Sequence, residues 1–151
     1  MKSSGVAKQF SLVFLAALAG YFILYYAIEG RRKHNGPWQI TFTRNASGDP
    51  AFVINQPRLG ITNLSLTFSG ATISTTNLGT QTFAQPRETP FNVPFGRCIF
   101  QDLTSLPGTL TFEMFGHEVE LIPRVLTIDK KERPWDSGIV ISLPVLGTNS
   151  P

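Results

Sequence analysis

FSLVFLAALAGYFILYYAI occupies residues 10–28, and the run contains no charged residue and no proline. At the helical rise of ~1.5 Å per residue it would span roughly 29 Å, close to the hydrocarbon thickness of a bilayer. No other segment of the chain is both this long and this apolar. We therefore predict one transmembrane helix over residues 10–29, between a short N-terminal tail (1–9) and a basic juxtamembrane linker (30–37).

The apolar run also contains a small-residue motif, Ala17-Leu18-Ala19, that resembles the cleavage site of a secretory signal. The run continues well past this motif, so cleavage would leave an apolar start on the mature chain. We therefore favour an uncleaved signal anchor. Aromatic and basic residues at the end of such a helix are typical of the membrane–water boundary. The predicted membrane-interface residues are Tyr25, Tyr26, Arg31, Arg32 and Lys33.

Three small residues, Ala16, Gly20 and Ala27, fall along one stripe of the predicted helix. Small residues allow a second transmembrane helix to approach closely, so these are helix-packing candidates. Alanine and glycine are also common on faces that contact only lipid, and that alternative stays open.

The distribution of charge separates the anchor from the rest of the chain. Five of the thirteen lysines and arginines flank the apolar run, which leaves eight against nine acids and a near-neutral region after residue 33. A nucleic-acid-binding domain carries positive charge on its folded face, so this pattern predicts no nucleic-acid partner. Basic residues on the two sides of the helix nearly balance, which leaves the orientation open. The low charge and abundant Thr, Ser and Asn favour an extracytoplasmic domain, periplasmic if the source is bacterial, with the cytoplasmic side not excluded.

Residues 38–146 show the alternation of apolar and polar side chains that is typical of β-strands. Trp38, Ile40 and Phe42 form one predicted inward set, and Leu64, Leu66 and Phe68 form another. Leu110, Phe112 and Met114 form a third, followed after a turn by Val119 and Leu121. Turn-forming residues recur about every ten positions. The fold class is predicted as all-β: an antiparallel β-sandwich or partly open barrel of about eight or nine short strands, preceded by the transmembrane helix, with a loose tail at 147–151.

Two segments of this region are less regular. Residues 71–76 are predicted to continue the preceding strand or pair with it. Residues 85–96 read QPRETPFNVPFG, and their three prolines exclude a central ladder position. We therefore predict that this segment forms a sheet edge or a crossover between sheets. Cys98, the single cysteine, excludes an intramolecular disulfide and is predicted to be a small buried apolar residue.

An acidic cluster is the most unusual group of side chains in the β region. A tight hairpin centred on Gly116 would place Glu113, Glu118 and Glu120 on one polar face. Like charges across a ladder are unfavourable unless a cation lies near. We predict a possible partner or cation patch here, the cation being a nearby lysine or arginine, Ca²⁺ or a partner's basic surface; a solvated hairpin face is the simpler alternative. His117 adds no zinc motif, since no second histidine follows at ligand spacing.

We find no phosphate-binding loop, nucleophile elbow or metal-ligand spacing, so no catalytic, cofactor-binding or metal residue is assigned and the protein is predicted not to be an enzyme. The expected partners are the lipid bilayer and a larger integral membrane protein complex, to which the chain would belong as an accessory or structural subunit. The alternative is an independent membrane-tethered binding module for a ligand, ion or extracytoplasmic protein. An anchored hydrolase is a weaker third option.

Overall fold

The computed structural model describes residues 3–32 and 34–146, so the predicted tail at 147–151 and Lys33 lie outside the described residues. The chain divides into two compact units, Met1–His34 and Asn35–Pro151, which are described separately below.

The first unit is one helix, α1, which extends from Ser3 to Arg32. It begins inside the predicted tail and ends inside the predicted linker, because the flanking polar residues, Lys8 and Gln9 among them, are themselves good helix formers. The stretch Gly5–Arg31 is long and apolar enough to cross a membrane, and none of its most apolar part is buried. Phe10 and Tyr26 are 73% and 70% exposed. Apolar side chains surround the helix, so no face of it suits water.

The second unit contains eleven strands within residues 34–146. Their bounds in chain order are β1 Trp38–Arg44, β2 Pro50–Gln56, β3 Ile61–Ser69, β4 Gly79–Phe83, β5 Phe91–Val93, β6 Gly96–Asp102, β7 Thr109–Met114, β8 His117–Ile122, β9 Val125–Ile128, β10 Lys131–Arg133 and β11 Val140–Pro144; a short 3₁₀ turn, Pro57–Leu59, separates β2 from β3.

The strands form two sheets. Sheet 1 has five strands in the order β11-β3-β2-β1-β4, and sheet 2 has six in the order β10-β9-β8-β7-β6-β5. The predicted sandwich is confirmed, and the described residues form no closed barrel. The predicted strand number of eight or nine was too low, because β10 is a short strand of three exposed charged residues and β5 is a short strand among prolines.

The predicted antiparallel arrangement has one exception: β11 pairs with β3 in parallel, with Val140 opposite Ser65 and Leu143 opposite Phe68. The chain reaches this place from β10, an edge strand of sheet 2. On the way, the Ser137 hydroxyl donates to the carbonyl of Gly60 at 2.7 Å and accepts from the amide of Thr62 at 3.0 Å. Because the chain crosses over from sheet 2 before it enters the edge of sheet 1, β11 runs in the same direction as β3.

The core lies between the sheets and is rich in phenylalanine. The predicted inward residues of β1 and β3 are buried, as are those of β7 and β8. Phe52 of β2 meets Phe112 of β7 edge to face, with ring centroids 5.3 Å apart. Aromatic pairs prefer this edge-to-face geometry, and the contact packs the centre of sheet 1 against the centre of sheet 2.

Candidate functional site

A groove separates the edge of sheet 1 from the edge of sheet 2 on one side of the sandwich. β4 and β5 are the edge strands there, and Phe83 of β4 stacks on Phe91 of β5 at 6.4 Å. Two adjoining hollows of about 430 and 490 Å³ follow the length of β4 and share Gln81 and Asn92 in their lining. We call these two hollows together the edge groove.

The first wall of the edge groove is β4 with the irregular segments on either side of it, and the second is Asn92 to Pro94. The segment 71–78 contributes to the first wall and contains no strand, so the prediction of a strand over 71–76 was wrong. Apolar and polar side chains alternate only weakly in this segment, so a strand here would gain little from burying one face. The predicted sheet edge or crossover at 85–96 is confirmed, because this segment connects β4 of sheet 1 to β5 at the edge of sheet 2.

The backbone of β4 is half unpaired. Within the described residues β4 pairs only with β1, from Gly79 opposite Phe42 to Phe83 opposite Trp38. In an antiparallel edge strand every second residue directs its N–H and C=O away from the partner strand. These groups of β4 therefore point away from β1, and within the described residues no second strand pairs with them.

Arg87 is the single charged residue among those that line the edge groove. Its guanidinium carbon lies 5.3 Å from the centroid of the Phe91 ring. Gln101 holds the backbone nearby, because its side chain accepts from the amide of Arg87 at 3.0 Å and donates to the carbonyl of Gln85 at 3.1 Å. One end of an otherwise neutral groove thus carries a positioned positive charge.

His117 forms a second cluster, buried where β8 begins. The ring is 3% exposed, with Nδ1 at 2.6 Å from Oδ2 of Asp129 and Nε2 at 2.6 Å from the carbonyl oxygen of Pro144. Both partners are acceptors when the carboxyl is ionised, and a ring nitrogen that carries a hydrogen donates to the partner it faces. The cluster joins β8 of sheet 2 to β11 of sheet 1.

Asp129 is the acidic partner in this cluster. Its Oδ1 accepts from the amide of Glu118 at 3.0 Å. Burial acts to raise the pKa of the Asp129 carboxyl, but hydrogen bonds from His117 and from the Glu118 amide outweigh it, and the pKa is lowered. The ionised carboxylate is therefore the form that this cluster holds.

The predicted acidic hairpin turns at Phe115 and Gly116, which both have positive φ and match the twist of a tight hairpin. Glu113 lies directly opposite Glu118, and Glu120 lies opposite Thr111. The three glutamates share a face.

Among the ion pairs of the described residues, the one at this acidic face involves a cation of β6. Arg97 binds the Glu113 carboxylate at 2.7 Å, with both side chains about half exposed. Within residues 3–32 and 34–146, no group of three His, Cys, Asp or Glu side chains is arranged to hold a metal. The patch at Glu113, Glu118 and Glu120 remains a prediction as a partner surface.

The predicted helix-packing and membrane-interface residues lie in or next to α1. Ala16, Gly20 and Ala27 all lie in α1, and a side chain added at Gly20 would meet nothing within 4 Å. Tyr25 and Tyr26 are exposed near its C-terminal end. Arg31 is also exposed, Arg32 ends the helix, and Lys33 falls outside the described residues.

Cys98 is fully buried, as predicted, and its thiol donates to the carbonyl of Phe100 at 3.3 Å. Burial raises the pKa of this thiol to about 11, while hydrogen bonds from the backbone at Phe100 and Thr111 act in the opposite direction. At neutral pH the group is a thiol and not the reactive thiolate.

Comparison with known proteins found no matching family model, no matching curated protein and no matching solved structure.

Sequence reasoning missed the partners of His117 and most of the edge groove. His117 is in phase with the buried Val119 and Leu121, and that alternation is a signal for burial. Nothing local indicates its partners, which lie 12 and 27 residues away. For the edge groove, the sequence singles out only the loop at 86–91, which is the best loop candidate for the tethered binding module and contributes Pro86 and Arg87 to the lining.

Proposed function

We propose that the protein is a non-catalytic, membrane-anchored accessory subunit whose β-sandwich docks on a larger membrane protein complex. The observation that carries this proposal is the exposed apolar surface of α1 along Gly5–Arg31. A bilayer removes such a surface from water at a gain of about 25 cal/mol per Å². The sandwich would then work at one membrane surface, and we place it on the extracytoplasmic side because of its low charge.

The state of the titratable side chains in the sandwich supports a structural role. His117 and Asp129 bind each other and close the end of the sandwich. Arg97 neutralises Glu113, and Cys98 is buried with a raised pKa. Histidine, aspartate and cysteine side chains act as bases or nucleophiles in many enzymes, whereas in this sandwich they make contacts that stabilise the fold.

A second candidate function is an independent membrane-tethered binding module. The edge groove favours it, because two hollows lined by amides, hydroxyls and one guanidinium present many hydrogen-bonding groups to a ligand. The two functions differ in whether the protein is part of a stable complex in its own membrane.

The test begins with an alkaline carbonate wash of source membranes, which an anchored protein resists. Extraction in mild detergent, a native gel and mass spectrometry then report its assembly. We expect a band far larger than the 16.6 kDa chain. A monomeric band contradicts the subunit proposal and favours the tethered module, and release by carbonate contradicts the anchor.

A pair of helix variants tests how the complex is held. Gly20→Leu adds bulk to the small-residue stripe, and Ala19→Leu adds bulk about 100° away around the helix. We expect only Gly20→Leu to reduce co-purification. Equal effects of the two variants contradict a specific packing face.

A further inference from the structure

We propose that the edge groove receives an extended segment of a partner protein, which adds to sheet 1 as a strand beside β4 and places an acidic side chain against Arg87. This inference deepens the proposed function, on which it rests, by naming how the partner is held.

The first argument is the unpaired backbone of β4. A strand pairs with an edge at about 4.8 Å, and main-chain hydrogen bonds then supply affinity with little dependence on sequence. β4 carries no lysine, no proline and no bulge from Gly79 to Phe83. Natural edges are commonly protected by such features, as β10 is by Lys131 and Arg133.

The second argument is the shape of the edge groove. Its hollows follow the full length of β4, from the segment before Gly79 to the segment after Phe83. Gln81 of β4 and Asn92 of β5 line both hollows. Their amides both donate and accept, so they match the peptide groups of an added strand.

The third argument is charge. Arg87 is positioned over Phe91, and no ion pair within the described residues joins it to an acid, including the neighbouring exposed Glu88. A guanidinium binds a carboxylate through two parallel hydrogen bonds. An acidic residue at one end of the added strand would therefore set its register.

The experiment uses the full chain in lipid nanodiscs and a display library of random linear peptides as the probe. We expect the enriched peptides to share an acidic position and to protect β4 amides from hydrogen exchange. Arg87→Glu should weaken their binding by roughly tenfold, as expected for loss of a close charge pair. Arg87→Lys should retain most of the binding. Arg124→Glu, at an exposed turn outside the groove, is the charge-matched control.

A second pair of variants blocks space and leaves the charge of Arg87 unchanged. Asn92→Trp fills the groove from an exposed position and should abolish peptide binding, whereas Glu132→Trp on β10 should not. The inference is overturned by enriched peptides without a common acidic position, by no enrichment, or by protection that appears elsewhere than β4. A dimer in sedimentation that Asn92→Trp dissociates would assign the groove to a second copy and also overturn it.

The two proposals fail separately. If the native complex persists in both Arg87→Glu and Asn92→Trp, the groove inference is wrong and the subunit proposal stands. If the unmodified protein is monomeric in its own membrane and still binds the acidic peptides at β4, the subunit proposal is wrong and the groove inference stands.

Discussion

The Nδ1 atom of His117 lies 2.6 Å from Oδ2 of Asp129, and the same ring reaches the carbonyl of Pro144 with Nε2. Sheet 2 supplies the histidine and the aspartate, and sheet 1 supplies the carbonyl. The ring therefore joins the two sheets at a place where the core itself ends. A buried polar contact of this kind stabilises the fold only while every partner is present.

Replacing His117 with alanine should lower the free energy of unfolding by about 2–4 kcal/mol, because the Pro144 carbonyl and the Asp129 carboxylate lose their donor. Urea unfolding of the full chain in detergent, followed by tryptophan fluorescence, measures this. The exposed His34 offers the matched control, and His34→Ala should change stability by less than about 0.5 kcal/mol. Equal losses in the two variants would show that the buried cluster contributes nothing particular.

Acid should destabilise the protein through Asp129. The pKa of this carboxyl is lower in the folded protein than its ordinary value of 3.8, so the folded state binds its proton more weakly than the unfolded state. Its stabilising contribution is present above pH 4 or so and is lost as the pH falls through the folded pKa. Unfolding free energies between neutral pH and pH 3 should fall less steeply in Asp129→Asn than in the unmodified protein. Parallel profiles would contradict this assignment.

The pair formed by Arg97 and Glu113 should contribute little stability despite its 2.7 Å contact, since both side chains are about half exposed. Such pairs typically give ~0.2–1 kcal/mol in a double-mutant cycle. The cycle uses Arg97→Gln, Glu113→Gln and the double variant. A coupling above about 2 kcal/mol would indicate that the acidic face, with Glu118 opposite, makes the arginine far more important than its exposure suggests.

The thiol of Cys98 should resist alkylation in the native protein, because it is buried and its pKa is raised to about 11. At pH 8, iodoacetamide should modify it only at the rate of unfolding, and rapidly once urea unfolds the chain. Mass spectrometry of timed samples gives both rates. Fast modification of the folded protein would mean that the strand around Cys98 opens to solvent.

Most local structure could be predicted from residues close together in the chain. The apolar run from Phe10 to Ile28 is long enough for one membrane span whatever follows it, and alternation places Leu110, Phe112 and Met114 inward whichever strand lies beside them. The same alternation failed for residues 71–76, where small polar side chains gain too little from a buried face to hold a strand.

Two features depend on contacts between distant segments. His117 finds acceptors at Asp129 and Pro144 only because β9 and β11 end beside it. The edge groove exists because β4 and β5, joined through a proline-rich crossover, terminate different sheets on the same side.

The amino-acid pattern alone therefore determined the apolar helix, the all-strand character of the remainder and the inward residues of each main strand, since each follows from the period of a single element. Only the tertiary structure decided the parallel position of β11, the partners of His117 and the open groove beside β4. The reason is that strand order and sheet pairing arise from which apolar faces cover each other, and no single strand encodes its neighbour.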